Sequence, residues 1–450
     1  MSEYSMRYAL EIGQRVTATD GMEYAVRKRL GRGGQGEVYL VEGPDGQYAL
    51  KWYRAEQFLK KIRAQDFYKH IRHNVEKGVP KLSSGDKATQ FIWPKKLVDW
   101  QHGSFGYLMQ LFDPAYDSFP DVIMGRHRND DGSERPLKWR SWFQRVTAGL
   151  NIVRAFEILH AAGYSYQDLN EGGFSINMDN GDVMICDCDN VAPDKTNLGI
   201  LGKLVYEAPE VARGEKLPDR WTDQYSLAVV LFQLMFNNHP MEGVESILLH
   251  ASEHLSRQEA DLRIYSVQPH YCLDSRHMVN PPDEKRHRDV RQLCRVYPSA
   301  LLEAFEQVFT KGIEDPMSRL SATEWRKVLL QVRDLLVWVG DEERFFRTPQ
   351  GPRIPKNCRI LCYDDGRRVL CMPSKILYQY HFSPYSADFT TPVAKIIPTK
   401  QPEILGLYNA MQDPIIAQYG KQTFTCACQG RIPLLSGMTL TYKDFTIAVN

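Results

Sequence analysis

The chain has 450 residues, 43% hydrophobic and 25% charged, which is enough to bury the cores of two or three domains. Its 56 basic and 55 acidic residues leave a formal charge of +1, so no net field draws it to nucleic acid or an anionic membrane. No basic segment followed by an apolar one opens the chain, and the longest apolar run, Tyr225 to Phe236, carries Gln233 and is about half a membrane span, so neither a signal peptide nor a membrane helix is expected.

Residues 1–20 read as an N-terminal extension. MEYAVRKRL, GEVYLVE and QYALKWY then predict three strands, separated by a glycine-rich segment and by Gly43-Pro44-Asp45-Gly46. A charged helix is expected from Arg54 to Lys77, and the strand-like pieces FIWPKKLVDW and FGYLMQLF complete a β-rich unit over 21–113. Apolar spacings of three and four predict a helix from Leu137 to Ala162. A hairpin follows over 174–191, with Asn180-Gly181 as its tight turn. Helical patterns from Thr222 to Trp338 close a mainly helical unit over 114–340. Residues 341–357, polar and proline-containing, read as a linker, and 358–450 read as short strands of a β-sandwich.

Gly31, Gly33 and Gly36 form GxGxxG, with Gly34 inside it and Val38 two residues beyond. Glycines let backbone amides approach phosphate oxygens. Strands on both flanks argue for a hairpin lid over a nucleotide, not the strand-to-helix turn of a dinucleotide fold. Lys51, on the next strand after Ala49, is placed to reach α- and β-phosphates. Asp168, just past the long helix, is a candidate to accept or orient a hydroxyl proton, and Asp187, across the hairpin, to hold a Mg2+ that bridges phosphates. Each feature alone has a bland reading: a flexible turn, a solvent-facing lysine, a turn-forming aspartate. Their order along the chain does not, because Glu207-Ala208-Pro209-Glu210 and then Asp223, heading an apolar helix, follow in turn.

In that order the chain resembles a eukaryotic-type Ser/Thr protein kinase of the kind also found in bacteria, from about residue 24 to 336. The resemblance implies an α+β, bilobal kinase-like fold with a β-rich N-lobe and a mainly helical C-lobe, here followed by an all-β, sandwich-like domain. It also implies ATP with Mg2+ or Mn2+, and a protein Ser/Thr hydroxyl as acceptor. Met109 would be the gatekeeper, with the backbone of Gln110 and Phe112 holding the adenine, and Glu210 would pair with Arg319. A cognate phosphatase is an implied partner, with no nucleic acid or membrane, and the location implied is cytoplasmic.

The departures are specific. Tyr166-Gln167-Asp168 stands where kinases carry His-Arg-Asp, so the arginine that reads a phosphorylated activation loop is missing, and the segment after Asp187 is short. Asp187-Cys188-Asp189 replaces Asp-Phe-Gly, and Gly173 replaces the asparagine that ligates a second Mg2+, with Asn170 and Asp189 as candidates to take its place. The helical glutamate that partners the strand lysine has no clear counterpart. Glu56 comes early, Glu76 comes late, Asp66 has suitable spacing on a short arm, and otherwise Asp187 must serve. A pseudokinase scaffold is the alternative these departures favour, and transfer of AMP is a third.

Nine cysteines, an odd number, are expected to be reduced thiols. Cys358, Cys362, Cys371, Cys426 and Cys428 with His381 lack the paired CxxC knuckles of a zinc ribbon and read as ordinary strand cysteines. The last domain faintly resembles a forkhead-associated module, for which Arg431 and Ser436 are the candidate phosphothreonine readers; packing or partner docking is the plainer reading.

Overall fold

The computed structural model describes residues 9–33, 36–54, 64–80, 90–101, 104–129, 131–196, 202–339, 341–346, 358–383 and 386–450. They fall into two compact units. The first comprises Met1–Arg140, Thr147–Val290 and Phe305–Trp325, and the second Ser141–Val146, Arg291–Ala304 and Arg326–Asn450.

The first unit opens with an antiparallel sheet of β1 (Arg15–Thr17), β2 (Glu23–Arg32), β3 (Gly36–Gly43), β4 (Gly46–Arg54), β5 (Lys96–Gln101) and β6 (Ser104–Met109), in the order β1-β2-β3-β4-β6-β5. The three strands read from residues 22–53 are β2, β3 and β4. Residues 15–17 belong to the sheet, with Arg15 opposite Ala25 and Thr17 opposite Glu23, which corrects their reading as an extension. Pro94 has no N–H for a ladder, so FIWP forms only an isolated bridge, Phe91 to Ile185, and the strand starts at Lys96.

Side chains alternate across the sheet with the two-residue period of a pleated strand. One face buries Val16, Tyr24, Val26, Tyr39, Leu50, Trp52 and Leu108. The other carries Ala49, Tyr53, Phe105, Tyr107 and Met109 and is covered by helix α1 (Ala64–Lys77). Helix α1 buries Ala64, Phe67, Ile71 and Asn74, the stripe expected of a helix lying on a sheet. Lys51 therefore shares its face of β4 with Tyr53, and the register sets Tyr107 of β6 opposite it.

The long helix runs Trp142–Ala161, starting later than expected. Ahead of it, Arg126–Arg128 pairs with Glu134–Pro136, and the Leu137 N–H is spent on the Gly125 carbonyl at 2.8 Å. Beyond it, Phe174–Ile176 pairs with Val183–Ile185. The Asn177 N–H donates to the Asp182 carbonyl at 2.9 Å, so Asn180-Gly181 lies inside a loop over 178–181 and is not a two-residue turn. The apolar run forms the helix Arg220–Phe236, started by an Asp219 cap that accepts from the Trp221 and Thr222 amides and buried along nearly all its length. No helix among the described residues is long and apolar enough to cross a membrane.

The helix Ala322–Asp334 gives way to the strand Leu336–Val339, which within the second unit pairs with Glu342–Phe345. Helix thus ends before Trp338, and residues 342–345 are strand where a linker was expected; residues 347–357 lie outside the described residues. A six-stranded and a four-stranded antiparallel sheet enclose one core of residues such as Leu361, Val369, Leu377, Ile396, Leu407, Leu440 and Ile447. Cys362, Cys371 and Cys426 sit on its strands. His381 uses both ring nitrogens internally: Nδ1 accepts from the Tyr378 amide at 2.8 Å, which leaves Nε2 to donate to Asp334 at 3.0 Å. Arg431 and Ser436 are exposed.

Candidate active site

Three segments of the first unit converge below the sheet. The hairpin of β2 and β3 carries the glycines. Its end is closed by the Gly33 N–H donating to the Gly36 carbonyl at 2.9 Å, and Gly34 lies outside the described residues. The glycines have different reasons to be there. A Cβ at Gly36 would meet the Trp52 carbonyl at 2.0 Å, so that glycine serves the close approach of β3 and β4. Gly31 and Gly33 face open space, where the lid was expected to meet phosphate.

Beneath the hairpin, Ala49, Met109, Met184 and Cys186 share an apolar cluster with half-buried Val38 and Leu111. Ala49 pairs directly with Met109, the expected gatekeeper. Gln110 and Phe112, expected to present backbone to a base, have exposed side chains in the connection leaving β6. Together these residues outline an apolar slot beneath the sheet.

Lys51 emerges at the inner end of the slot, its Nζ 2.9 Å from Asp187 Oδ1, 2.8 Å from Asp189 Oδ2 and 3.0 Å from Asp189 Oδ1. Burial works against its charge, but the two carboxylates prevail and raise its pKa above the usual lysine range. Asp189 also accepts from the Tyr53 hydroxyl and from Tyr107 at 3.2 Å. Burial pushes its pKa up, yet Lys51 and the Tyr53 hydroxyl hold it below the usual carboxylate value. Its two oxygens are thereby spent, so it is not the second metal ligand considered from the sequence. Of the other candidate partners for Lys51, Asp66 is exposed on α1 and lies 3.5 Å from Lys69, and Glu56 lies outside the described residues.

The loop bearing Asp168 is fixed from below by Asp223, which accepts from the Tyr166 amide at 2.7 Å, the Gln167 amide at 3.1 Å and His160 Nε2 at 3.0 Å. Gln167 at φ 69° and Asp187 at φ 51° both occupy the left-handed region, which costs a non-glycine residue energy that surrounding contacts must offset. Gln167, where the phosphate-reading arginine was missing, donates instead to the Thr196 carbonyl at 2.5 Å. That neutral bond ties down the start of the following segment without a phosphate.

Asp168 accepts from Asn170 Nδ2 at 3.2 Å and from Asn190 Nδ2 at 3.2 Å. Burial and the negative charge of Asp187 raise its pKa to about 7. Asn170 does not suit the metal role suggested for it: its Oδ1 accepts from the Gly172 amide at 3.0 Å, capping a short 3₁₀ turn, and its amide nitrogen supports Asp168. A Cβ at Gly173 would lie 3.1 Å from the Tyr166 hydroxyl, which is held in place by donating to the Cys186 carbonyl. Tyrosine at 166 and glycine at 173 are thus a matched pair. Gly173→Asn is accordingly expected to destabilise the protein by about 1–3 kcal/mol and not to raise kcat, checked by thermal unfolding and steady-state rates. A rise in kcat would show that the loop has room for the missing amide.

Further out, Glu210 and Arg319 form a bidentate pair at 2.7 and 2.9 Å, the arginine side chain being 0% exposed. The structure therefore joins Lys51 to Asp187, sets both near enough to Asp168 for their charges to act on it, and pairs Glu210 with Arg319 elsewhere. Sequence reasoning missed Tyr53, Tyr107, His70 and Asn190. A signal for the first two was present: Tyr53 lies two residues beyond Lys51 on an alternating strand, and a buried tyrosine needs a partner for its hydroxyl.

Residues 141–327 match the protein kinase domain family. The chain is 25% identical over 281 residues to the serine/threonine-protein kinase PknF of Mycobacterium tuberculosis, covering 59% of this chain and 54% of that one. It is 26% identical over 336 residues to the serine/threonine-protein kinase pkn3 of Myxococcus xanthus, covering 71% and 51%. The chain thus spans about half the length of these curated relatives. The crystal structure of the Mycobacterium tuberculosis PknI kinase domain aligns with 72% of this chain and 99% of its own, at 17% identity and a TM-score of 0.43. Residues 141–327 are thus similar to the protein kinase domain family, and the chain as a whole is similar to bacterial serine/threonine-protein kinases at about a quarter identity.

Proposed function

We propose that the chain is an ATP- and Mg2+-dependent kinase that transfers the γ-phosphoryl group to Ser/Thr hydroxyls of protein acceptors. One observation supports this reading: Lys51, far away in sequence, bonds Asp187 at the inner end of the slot, close enough to Asp168 for their charges to act on it, a set suited to a clamp, a metal ligand and a base. Val38, Ala49, Met109 and Leu111 would take the adenine between apolar walls, and Lys51 would bind α- and β-phosphate oxygens.

Magnesium prefers one or two carboxylates together with phosphate oxygens and water. The residues present fit that demand, since the Asp187 side chain is 41% exposed beside a half-buried Asp168. A cation held by Asp187 supplies neutralisation of charge on the transferring group. Asp168 orients the acceptor hydroxyl and takes its proton as the oxygen bonds to γ-phosphorus and the bond to the bridging oxygen of ADP breaks. Asn170 and Asn190, both donating to Asp168, fix the direction in which it accepts.

A nucleotide-binding scaffold is the second reading, favoured by the lack of a side-chain oxygen at Gly173 and by the engagement of Asn170 in the loop. The test is incubation with ATP labelled at the γ or the α position, Mg2+ and a generic protein acceptor, followed by identification of the labelled residue. Label from the γ position on serine and threonine is expected. Label from the α position would mean AMP transfer. No label from either, with ATP still raising the melting temperature, would establish the scaffold.

A further inference from the structure

We infer that Asp189 is a positioning residue that takes over the anchoring of Lys51, a task performed in protein kinases by a glutamate of the helix packed on the sheet. The inference rests on the kinase reading above and concerns the same site.

A lysine ammonium has three N–H donors. Here two close contacts go to Asp189, at 2.8 and 3.0 Å, and one to Asp187, at 2.9 Å. The two carboxylates differ in access: the Asp187 side chain is 41% exposed and that of Asp189 is 0% exposed. A nucleotide and its cation arriving from solvent meet Asp187, which leaves the ammonium for the metal while Asp189 keeps its hold.

The surroundings are built for a carboxylate at this point. A buried ion without further donors is costly, because its remaining lone pairs go unsatisfied. Asp189 has the Tyr107 hydroxyl on Oδ1, from neighbouring β6, and the Tyr53 hydroxyl on Oδ2, from the lysine's own strand β4. Among the described residues, with Glu56 outside them, helix α1 presents no acid there. Its nearest contribution is His70, whose Nε2 lies 2.9 Å from the Asp189 carbonyl, while Glu76 is exposed and bonded to Arg72 at 3.0 Å. The anchor and the metal ligand thus stand two positions apart on one loop. Displacing α1, which unhooks the lysine when the acid is helical, leaves it hooked here.

The experiment compares wild type with Asp189→Asn, Asp189→Gly and the double variant Asp189→Gly/His70→Glu, which returns an acid to α1. Affinity for a non-hydrolysable ATP analogue, the melting temperature, KM and kcat are measured for each. Asp189→Asn and Asp189→Gly are expected to weaken analogue binding by about 10- to 100-fold, the loss of a charged hydrogen bond, and His70→Glu to recover part of it in the glycine background. Wild-type affinity, KM and kcat in Asp189→Asn, with only the melting temperature changed, would overturn the inference. So would failure of His70→Glu to recover any binding in a folded double variant. The near-isosteric asparagine keeps the test alive if the glycine variant does not fold. If wild type transfers no phosphoryl group, the kinase reading fails on its own, and analogue binding still decides whether Asp189 anchors Lys51.

Discussion

Asp168→Asn is expected to lower kcat by about 10²- to 10⁴-fold, the usual worth of a general base, and at neutral pH and above to raise the melting temperature. Both effects have one origin. Burial and the charge of Asp187 raise the Asp168 pKa from 3.8 to about 7, so ionising this carboxylate costs the folded protein energy. The sign follows from linkage. With the folded pKa above the unfolded one, the stability present at acid pH is lost as pH rises toward 7 and stays lost above it. The shift places a ceiling of roughly 4 kcal/mol on that loss. Asparagine is neutral throughout and keeps an oxygen for Asn170, so the gain should appear at pH 8 and vanish near pH 4. Thermal unfolding at the two pH values checks it. In wild type the same group is expected to make kcat/KM rise with pH through about 7, because that ratio reports the free enzyme.

Glu210→Ala is expected to cost roughly 3–5 kcal/mol in denaturant unfolding, the cost of leaving one member of a buried ion pair alone. The Arg319 guanidinium has no route to water, since its side chain is 0% exposed. Its other contacts are the Gly312 carbonyl at 2.7 Å, the Trp221 carbonyl at 3.3 Å and the Tyr225 ring at 5.3 Å. None carries a compensating negative charge. Glu210→Ala combined with Arg319→Met should therefore be less destabilised than the sum of the single variants, a coupling that a double-mutant cycle measures directly. Strict additivity would mean that the two side chains contribute independently.

What was legible in the chain was the order of chemical types. Lysine after a glycine hairpin, Asp168 after a long helix, Asp187 across a hairpin and Glu210 before a buried helix are each fixed by local patterns, and the fold brings the first three together. What was not legible depends on side-chain direction within loops. Asp187 and Asp189 sit in a turn whose first residue is left-handed, at φ 51°, and nothing in the spelling Asp-Cys-Asp tells which carboxylate turns inward. Asn170 looked free for a metal because a cap on a three-residue turn leaves almost no pattern. Gly173 looked like a loss until the Tyr166 hydroxyl was found in the space its side chain would need. Boundaries failed for a similar reason. Leu137 is apolar and in phase with the helix behind it, but its amide is committed to a hairpin, and the strand Glu342–Phe345 is too polar to show by alternation.

The most direct measurement is transfer of γ-phosphoryl from labelled ATP to a protein acceptor by wild type and by Asp187→Asn, with ATP saturating for both. Label on serine and threonine with wild type, falling to background in Asp187→Asn, is the predicted result. Undiminished label in Asp187→Asn, or no label from a wild type that binds ATP, would contradict the assignment of Lys51, Asp168 and Asp187 to phosphoryl transfer.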